Sequence, residues 1–169
     1  MAQTISFFNS DIVLGSSIQT VSNYYPDLKI ITSFDDGKRL ELGIQSFELE
    51  NFNEEIKTVG FNFFKKELYE IFFIYRNCEI EHLNNKVNEL ISSLKKDFGK
   101  CDTLITSVPS ESFIYRNYHW KYKENFHIDV FVNNMYFWDI NISGFNIMVI
   151  YYEPAISGNI RNLLYDFNA

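Results

Sequence analysis

Apolar and polar residues alternate along residues 117–152, and this two-residue period predicts successive β-strands. We set the register of each strand pair by requiring one uniformly apolar face, because a shift of one residue exchanges the two faces of a strand. A three-residue loop at 123–125 meets this requirement by pairing Trp120 with Ile128. The stretch is therefore expected to contribute an aromatic and aliphatic face to the core.

The next two turns are predicted to extend this face to two further strands. A loop at 133–135 pairs Val130 with Trp138, and a two-residue turn at 143–144 pairs Trp138 with Val149. Asparagine tolerates the left-handed backbone conformation that the first of these loops needs. This register places both tryptophans in the core, where their ring N–H groups are expected to find hydrogen-bond partners.

A 3.6-residue period over residues 78–99 predicts an amphipathic helix that covers the apolar sheet face. Its apolar stripe consists of Leu83, Val87, Leu90, Ile91, Leu94 and Phe98. Lys95 and Lys96 near its end complement the helix macrodipole. Gly99 is expected to end the helix in the left-handed conformation that glycine adopts without steric cost.

Two shorter helices are predicted nearer the ends of the chain. The first begins at Ser16, which has Gln19 at capping-box spacing, and it stops before Pro26. The second occupies residues 154–167 and begins at Pro154, a residue favoured in the first helical turn. Its apolar face consists of Ile156, Ile160, Leu163, Leu164 and Phe167. We expect this second helix to cover the same sheet face as the longer one.

Four further strands are predicted in the first half of the chain. Residues 28–34 and 39–49 flank a turn at 35–38, and a second hairpin turns at 65–67. In this second hairpin the predicted core face consists of Val59, Phe61, Phe63, Tyr69, Ile71 and Phe73. Its opposite face carries Phe72 and Ile74 together with the polar residues Thr58, Asn62 and Glu70.

A helix followed by hairpins occurs twice, which predicts an α+β fold in which helices pack on one face of an antiparallel sheet meander. The two helix–sheet half-repeats span residues 10–76 and 77–152, and the C-terminal helix at 154–167 completes a single domain of residues 1–169. This spacing resembles that of two-repeat helix–sheet domains in inhibitors and lipoproteins, without a shared motif, and it assigns no family.

Composition agrees with a strand-rich domain and indicates a cytoplasmic protein. The chain contains 17 Phe and 11 Tyr, and aromatic residues favour strands. The N-terminal residues lack a basic region before an apolar run, so no secretory signal is expected, and no apolar segment reaches membrane-spanning length. Cys78 and Cys101 are expected to be reduced thiols.

The net charge of −7 argues against nucleic acid as a ligand, because lysine and arginine carry phosphate binding. An acidic protein is better suited to a basic protein partner, towards which its charge would steer association. The sequence also contains no cofactor motif and no nucleophile or glycine-rich loop of a known enzyme class. These features favour a binding protein over an enzyme.

The predicted outer face carries a row of polar residues that raises one alternative. Asp129 and Asp139 are predicted to lie directly opposite each other, with His119 on the neighbouring strand and His127 in the next row. Imidazole and carboxylate groups hold zinc, manganese or iron, so these four residues are candidate ligands of a metal-binding protein or metal-dependent enzyme. A flat sheet face without a cleft weighs against that hypothesis.

The same face carries an apolar patch formed by Phe131, Phe137, Met148 and Ile150 beside Asp129 and Asp139. An apolar patch with a polar rim has the composition of a protein interface. The alternative is that the first-half strands or the N-terminal segment cover it as a second small core. The sequence therefore predicts a protein-binding module of inhibitor, immunity-protein or phage anti-defence type, with a homodimer joined through the patch as a further alternative.

Overall fold

Eight strands and four helices make up the described part of the computed structural model, which covers residues 12–31, 36–76, 80–110, 113–133 and 146–166. The elements are α1 (Ile18–Tyr24), β1 (Lys29–Ile30), α2 (Asp36–Glu41), β2 (Ile44–Glu50), β3 (Ile56–Phe64), β4 (Glu67–Tyr75), α3 (Ile80–Phe98), β5 (Thr103–Ser110), β6 (Phe113–Lys123), β7 (Phe126–Asn133), β8 (Asn146–Tyr152) and α4 (Pro154–Asp166). The predicted α+β class is confirmed.

All strands form one antiparallel sheet in the order β1-β2-β3-β4-β8-β7-β6-β5. Each half of the chain contributes a four-stranded meander, and the last strand of each half meets the other at the centre of the sheet. Helix α3 makes the long connection from β4 in the centre to β5 at the far edge. The predicted order, a helix followed by antiparallel strands, therefore occurs in both halves of the chain.

The predicted register between β6 and β7 is confirmed. Trp120 pairs with Ile128 and His119 with Asp129, as the apolar-face criterion required. Only the end of the hairpin differs, because a register shift after Lys121 pairs Lys123 with Phe126 and leaves a two-residue turn. Indole Nε1 of Trp120 donates to the carbonyl oxygen of Gly99 at 3.0 Å, so the expected partner exists.

The predicted pairing between β7 and residues 136–142 is wrong. Val130 pairs with Val149 of β8, and the opposite edge of β7 is occupied by β6. The apolar-face criterion could not exclude this arrangement, because both pairings place Val130 opposite an apolar residue and keep the same alternation. Trp138, like the predicted turn at 143–144, lies outside the described residues.

In the first half, the β3–β4 register is confirmed at Phe61–Ile71 but not near the turn. Lys65 and Lys66 have φ values of 50° and 73°, so they form a two-residue turn, and Phe63 pairs with Leu68. The sequence predicted Tyr69 on the core face, but the resulting bulge places it outside the main core, in the second cluster. Residues 36–41 form helix α2 instead of the predicted turn and strand start.

The predicted cap of α1 is also shifted by one residue. Ser17, not Ser16, is the N-cap, and its hydroxyl accepts from the backbone N–H of Thr20 at 3.1 Å. Gln19 bonds Asn23 instead of completing a capping box. In α3, by contrast, the stripe is confirmed, and Gly99 follows the helix with φ of 84°.

The main core lies between α1 and α3 and one face of the sheet, which we call the inner face. Phe98 of α3 contacts an aromatic cluster of Tyr122, Phe126 and Tyr151, with ring centroids 5.1 to 6.3 Å away. The described side chains of helix α4 do not join this core, and those of Leu163 and Leu164 lie outside the described residues. Ile156 and Ile160 of α4 pack in a second, smaller cluster, described below with the opposite face of the sheet.

Candidate functional site

The outer face of the sheet is the surface opposite the main core. Because Val59 and Phe61 of β3 point into that core, Thr58, Gly60 and Asn62 lie on the outer face. Strand pairing extends these positions into continuous rows across the sheet. The central row consists of Glu48, Gly60, Phe72, Ile150, Asp129 and His119, and the row beside it of Glu50, Thr58, Ile74, Met148, Phe131 and Asn117.

One end of the central row contains a hydrogen-bonded pair, His119 and the buried Asp129. His119 Nδ1 lies 2.9 Å from Asp129 Oδ1, within hydrogen-bond distance. Asp129 is 8% exposed, so the pairing satisfies a carboxylate that has little access to water. The sequence predicted this neighbourhood correctly through the β6–β7 register.

His127 lies beside this pair, with its ring centroid 5.0 Å from that of His119 and 5.7 Å from that of Tyr152. Its Nε2 atom is inaccessible to water and has no hydrogen-bond partner among the described residues. Burial lowers the pKa of His127, and the adjacent His119 and Lys121 lower this pKa further. The arrangement therefore favours a neutral imidazole.

The predicted metal site is not assembled in the described part of the chain, where no group of three or more His, Cys, Asp or Glu side chains could hold a metal ion. Asp129 is bonded to His119, and on its other side it stands opposite Ile150 instead of Asp139. The predicted opposition of two aspartates is therefore wrong, since β8 occupies that edge of β7. Asp139 itself lies outside the described residues.

An apolar strip crosses the outer face at the centre of the sheet. Its members are Phe72, Ile74, Met148, Ile150 and Phe131, all half-buried, on the neighbouring strands β4, β8 and β7. Phe72 pairs with Ile150, and Met148 stands between Ile74 and Phe131. Three of the four predicted patch residues thus lie together, and Phe137 lies outside the described residues.

Phe72 has a second neighbour that the sequence reasoning missed. The end of its ring lies over Gly60 of β3, so a Cβ atom added at Gly60 would overlap the ring. Glycine within a strand often marks such a close approach, so Gly60 was the residue from which the sequence could have predicted this contact. The ring consequently extends along the central row towards Glu48, the partner of Gly60 on the other side.

Glu48 and Glu50 were also missed, although both lie on the outer face of β2. Lys29 of the edge strand stands opposite Glu48, yet its Nζ atom bonds Glu50 at 3.1 Å. Glu48 is half-buried and has no hydrogen bond or ion pair among the described residues. Burial and the charge of Glu50 raise the pKa of Glu48, while Lys29 opposes this rise.

Helix α4 occupies the outer face only near one corner. Ile160 packs with Ile44 and Tyr69 in the second cluster, and Ile44 is on the outer face because Phe47 on the alternate side packs against the main core. Ile156 packs against the same cluster. The expectation that α4 covers the tryptophan-bearing face is thus wrong. Among the described residues, the cluster that contains Ile156 and Ile160 does not include any member of the apolar strip.

Comparison of the chain with family models, curated proteins and solved structures gives no match. The function must therefore be inferred from the outer face itself. None of the helices in the described ranges combines the length and apolar character that crossing a bilayer requires.

Proposed function

We propose that this protein is a small acidic binding module whose outer sheet face engages another protein. The observation that carries the proposal is the apolar strip of Phe72, Ile74, Met148, Ile150 and Phe131, which runs across three adjacent strands. Contiguous apolar surface at the centre of a polar face is typical of protein interfaces. The strip thus supplies the apolar centre of the proposed interface.

Polar groups border the strip in the manner of an interface rim. Glu48 and Glu50 flank it on β2, and His119, bonded to the buried Asp129, flanks it on β6. Together with the net charge of −7, the carboxylates of Glu48 and Glu50 favour a partner that presents basic side chains around an apolar contact. The biological role that we propose is an inhibitor of immunity-protein or phage anti-defence type, which would occupy a basic enzyme.

A capture experiment with matched variants tests the proposal. Tagged wild-type protein is compared with Met148→Ser/Ile150→Ser, which places two hydroxyl groups in the strip. Ile30→Ser serves as the control, because Ile30 is 67% exposed and pairs with Phe47 on the inner-face side of the sheet. Proteins retained from an extract of the source cells are quantified by mass spectrometry, and circular dichroism verifies folding.

We expect a basic protein that is retained by the wild type and by Ile30→Ser and is lost with the strip variant. Light scattering on the same three proteins identifies self-association through the strip as a different outcome. Equal retention by all three would refute the outer face as the binding surface. If Met148→Ser/Ile150→Ser unfolds, the strip is core and the proposal fails for that reason.

A further inference from the structure

The central row of the outer face contains a carboxylate that forms no ion pair with the described residues. Glu48 is half-buried, and neither a hydrogen bond nor an ion pair reaches it from the described residues. The nearest cation by strand pairing, Lys29, instead bonds Glu50. The carboxylate has lost part of its hydration without gaining a donor from the described residues, and a ligand cation that displaced the remaining water would pair with it.

Backbone pairing places an aromatic ring in the same row as Glu48. Glu48 is opposite Gly60, and Gly60 is opposite Phe72 on its other side. Because glycine has no side chain, the ring of Phe72 extends over β3 and closes the gap of about 4.8 Å that separates adjacent strands. In this row, therefore, no side chain stands at the position between Glu48 and Phe72, and the ring reaches to the strand beside Glu48.

We infer that Glu48 and Phe72 form a subsite for an arginine side chain of the protein that binds the outer face. A guanidinium group donates hydrogen bonds to a carboxylate while its plane lies against an aromatic ring, which a lysine ammonium group does less well. This inference rests on the proposed function and names the partner chemistry that the acidic end of the apolar strip recognises. The adjacent strip would receive an apolar neighbour of that arginine.

Lys29 does not prevent such binding. The side chains of Lys29 and Glu50 are 66% and 53% exposed, and an ion pair between exposed side chains contributes little to stability. The amine competes weakly for Glu48, which is consistent with its opposing effect on the raised pKa of that carboxyl. Lys29→Gln is accordingly expected to strengthen arginine binding.

The direct test is an NMR titration of the full chain with N-acetyl-arginine amide. N-acetyl-citrulline amide is the matched probe, because citrulline keeps the shape of arginine but lacks its charge. We expect saturable shifts of the backbone amides of Glu48, Gly60 and Phe72 with the arginine probe, and at least about threefold weaker binding of the citrulline probe. Equal responses to the two probes, or no response at these amides, would overturn the inference.

Substitutions locate the binding groups. Glu48→Gln and Phe72→Leu are each expected to weaken binding of the arginine probe by at least about threefold. Glu89→Gln, which removes a charge from the exposed side of α3, is expected to leave binding unchanged. Unchanged binding in Glu48→Gln would refute the subsite, and thermal melts verify that each variant folds.

The partner-capture experiment separates this inference from the proposed function. If Glu48→Gln retains the partner as well as the wild type does, while Met148→Ser/Ile150→Ser loses it, the arginine subsite is wrong and the outer-face interface stands. If neither variant changes retention, the outer-face interface itself is wrong. Loss of retention with both variants supports both proposals.

Discussion

The end of the Phe72 ring lies directly over the backbone of Gly60 in the neighbouring strand, within the space that any other residue would fill with its Cβ atom. Gly60 has no positive φ angle that would require glycine, so close approach of the ring is the reason for the residue. The contact shapes the centre of the outer face. It also fixes the direction in which Phe72 points along the row.

Gly60→Ala is expected to destabilise the protein by about 1–3 kcal/mol, because the added methyl group must displace the Phe72 ring from a packed position. Urea unfolding measures the change. Gly158→Ala is the control, since nothing lies within 4 Å of a Cβ at that exposed position in α4. Alanine there is expected to raise the free energy of unfolding by about 0.5–1 kcal/mol. Equal effects at the two sites would contradict the contact.

The register of β6 and β7 was predictable because only one alignment makes a face uniformly apolar. Trp120 opposite Ile128 and His119 opposite Asp129 follow from that single condition. The neighbour of β7 on its other edge was not predictable in this way. Several apolar strands satisfy the same alternation, and choosing β8 depends on the long connection through α3 and on the pairing at the centre of the sheet.

Local features of the chain explain the other differences between the predicted and the observed structure. Leu40 occupies an apolar position of the predicted strand 39–49. In the structure it lies in α2 and is 59% exposed, so burial of its side chain does not favour a strand. The two-residue turn at Lys65 and Lys66 needs positive φ values, which lysine rarely adopts. The sequence therefore did not predict this turn, nor the bulge at Tyr69 that accompanies it. Glu48 could not be recognised as a site residue before strand pairing had placed Gly60 and Phe72 beside it.

Asp129→Asn is expected to lower the free energy of unfolding by about 1–3 kcal/mol, because it alters the hydrogen bond between the carboxyl group and His119 at a buried position. Glu124→Gln in the turn of the same hairpin is the matched control, since Glu124 is exposed. Urea unfolding at pH 7 compares the two. A loss of stability in Asp129→Asn no larger than that in Glu124→Gln would show that the pair contributes little.

Trp120→Phe tests the packing of α3 onto the inner face. The substitution removes the Nε1–H group that donates to Gly99 and leaves unfilled volume around a residue that is 1% exposed. We expect a loss of about 1–3 kcal/mol, measured by thermal and urea unfolding. Leu104→Ala on the neighbouring strand β5, at a site that is 55% exposed, is expected to change stability far less. Similar losses would place Trp120 outside the core.

His127 is expected to make the fold sensitive to mild acid. Its pKa in the folded protein is lowered by burial and by the nearby His119 and Lys121, so between this pKa and the ordinary value near 6.5 the unfolded chain binds more protons than the folded one. Stability therefore rises with pH in that range. The free energy of unfolding is expected to be largest above about pH 7 and to fall as the pH drops through about 6.5.

Nearby carboxylates do not reverse this expectation. Asp129 raises the pKa of His127, but it is already bonded to His119, and Asp102 accepts the backbone N–H of Lys121. Proton NMR titration of the imidazole C2–H of His127 measures the folded pKa directly, and a midpoint at or above 6.5 would contradict the argument. His127→Gln removes the titrating group, so its unfolding free energy is expected to depend less steeply on pH between 5 and 7 than that of the wild type.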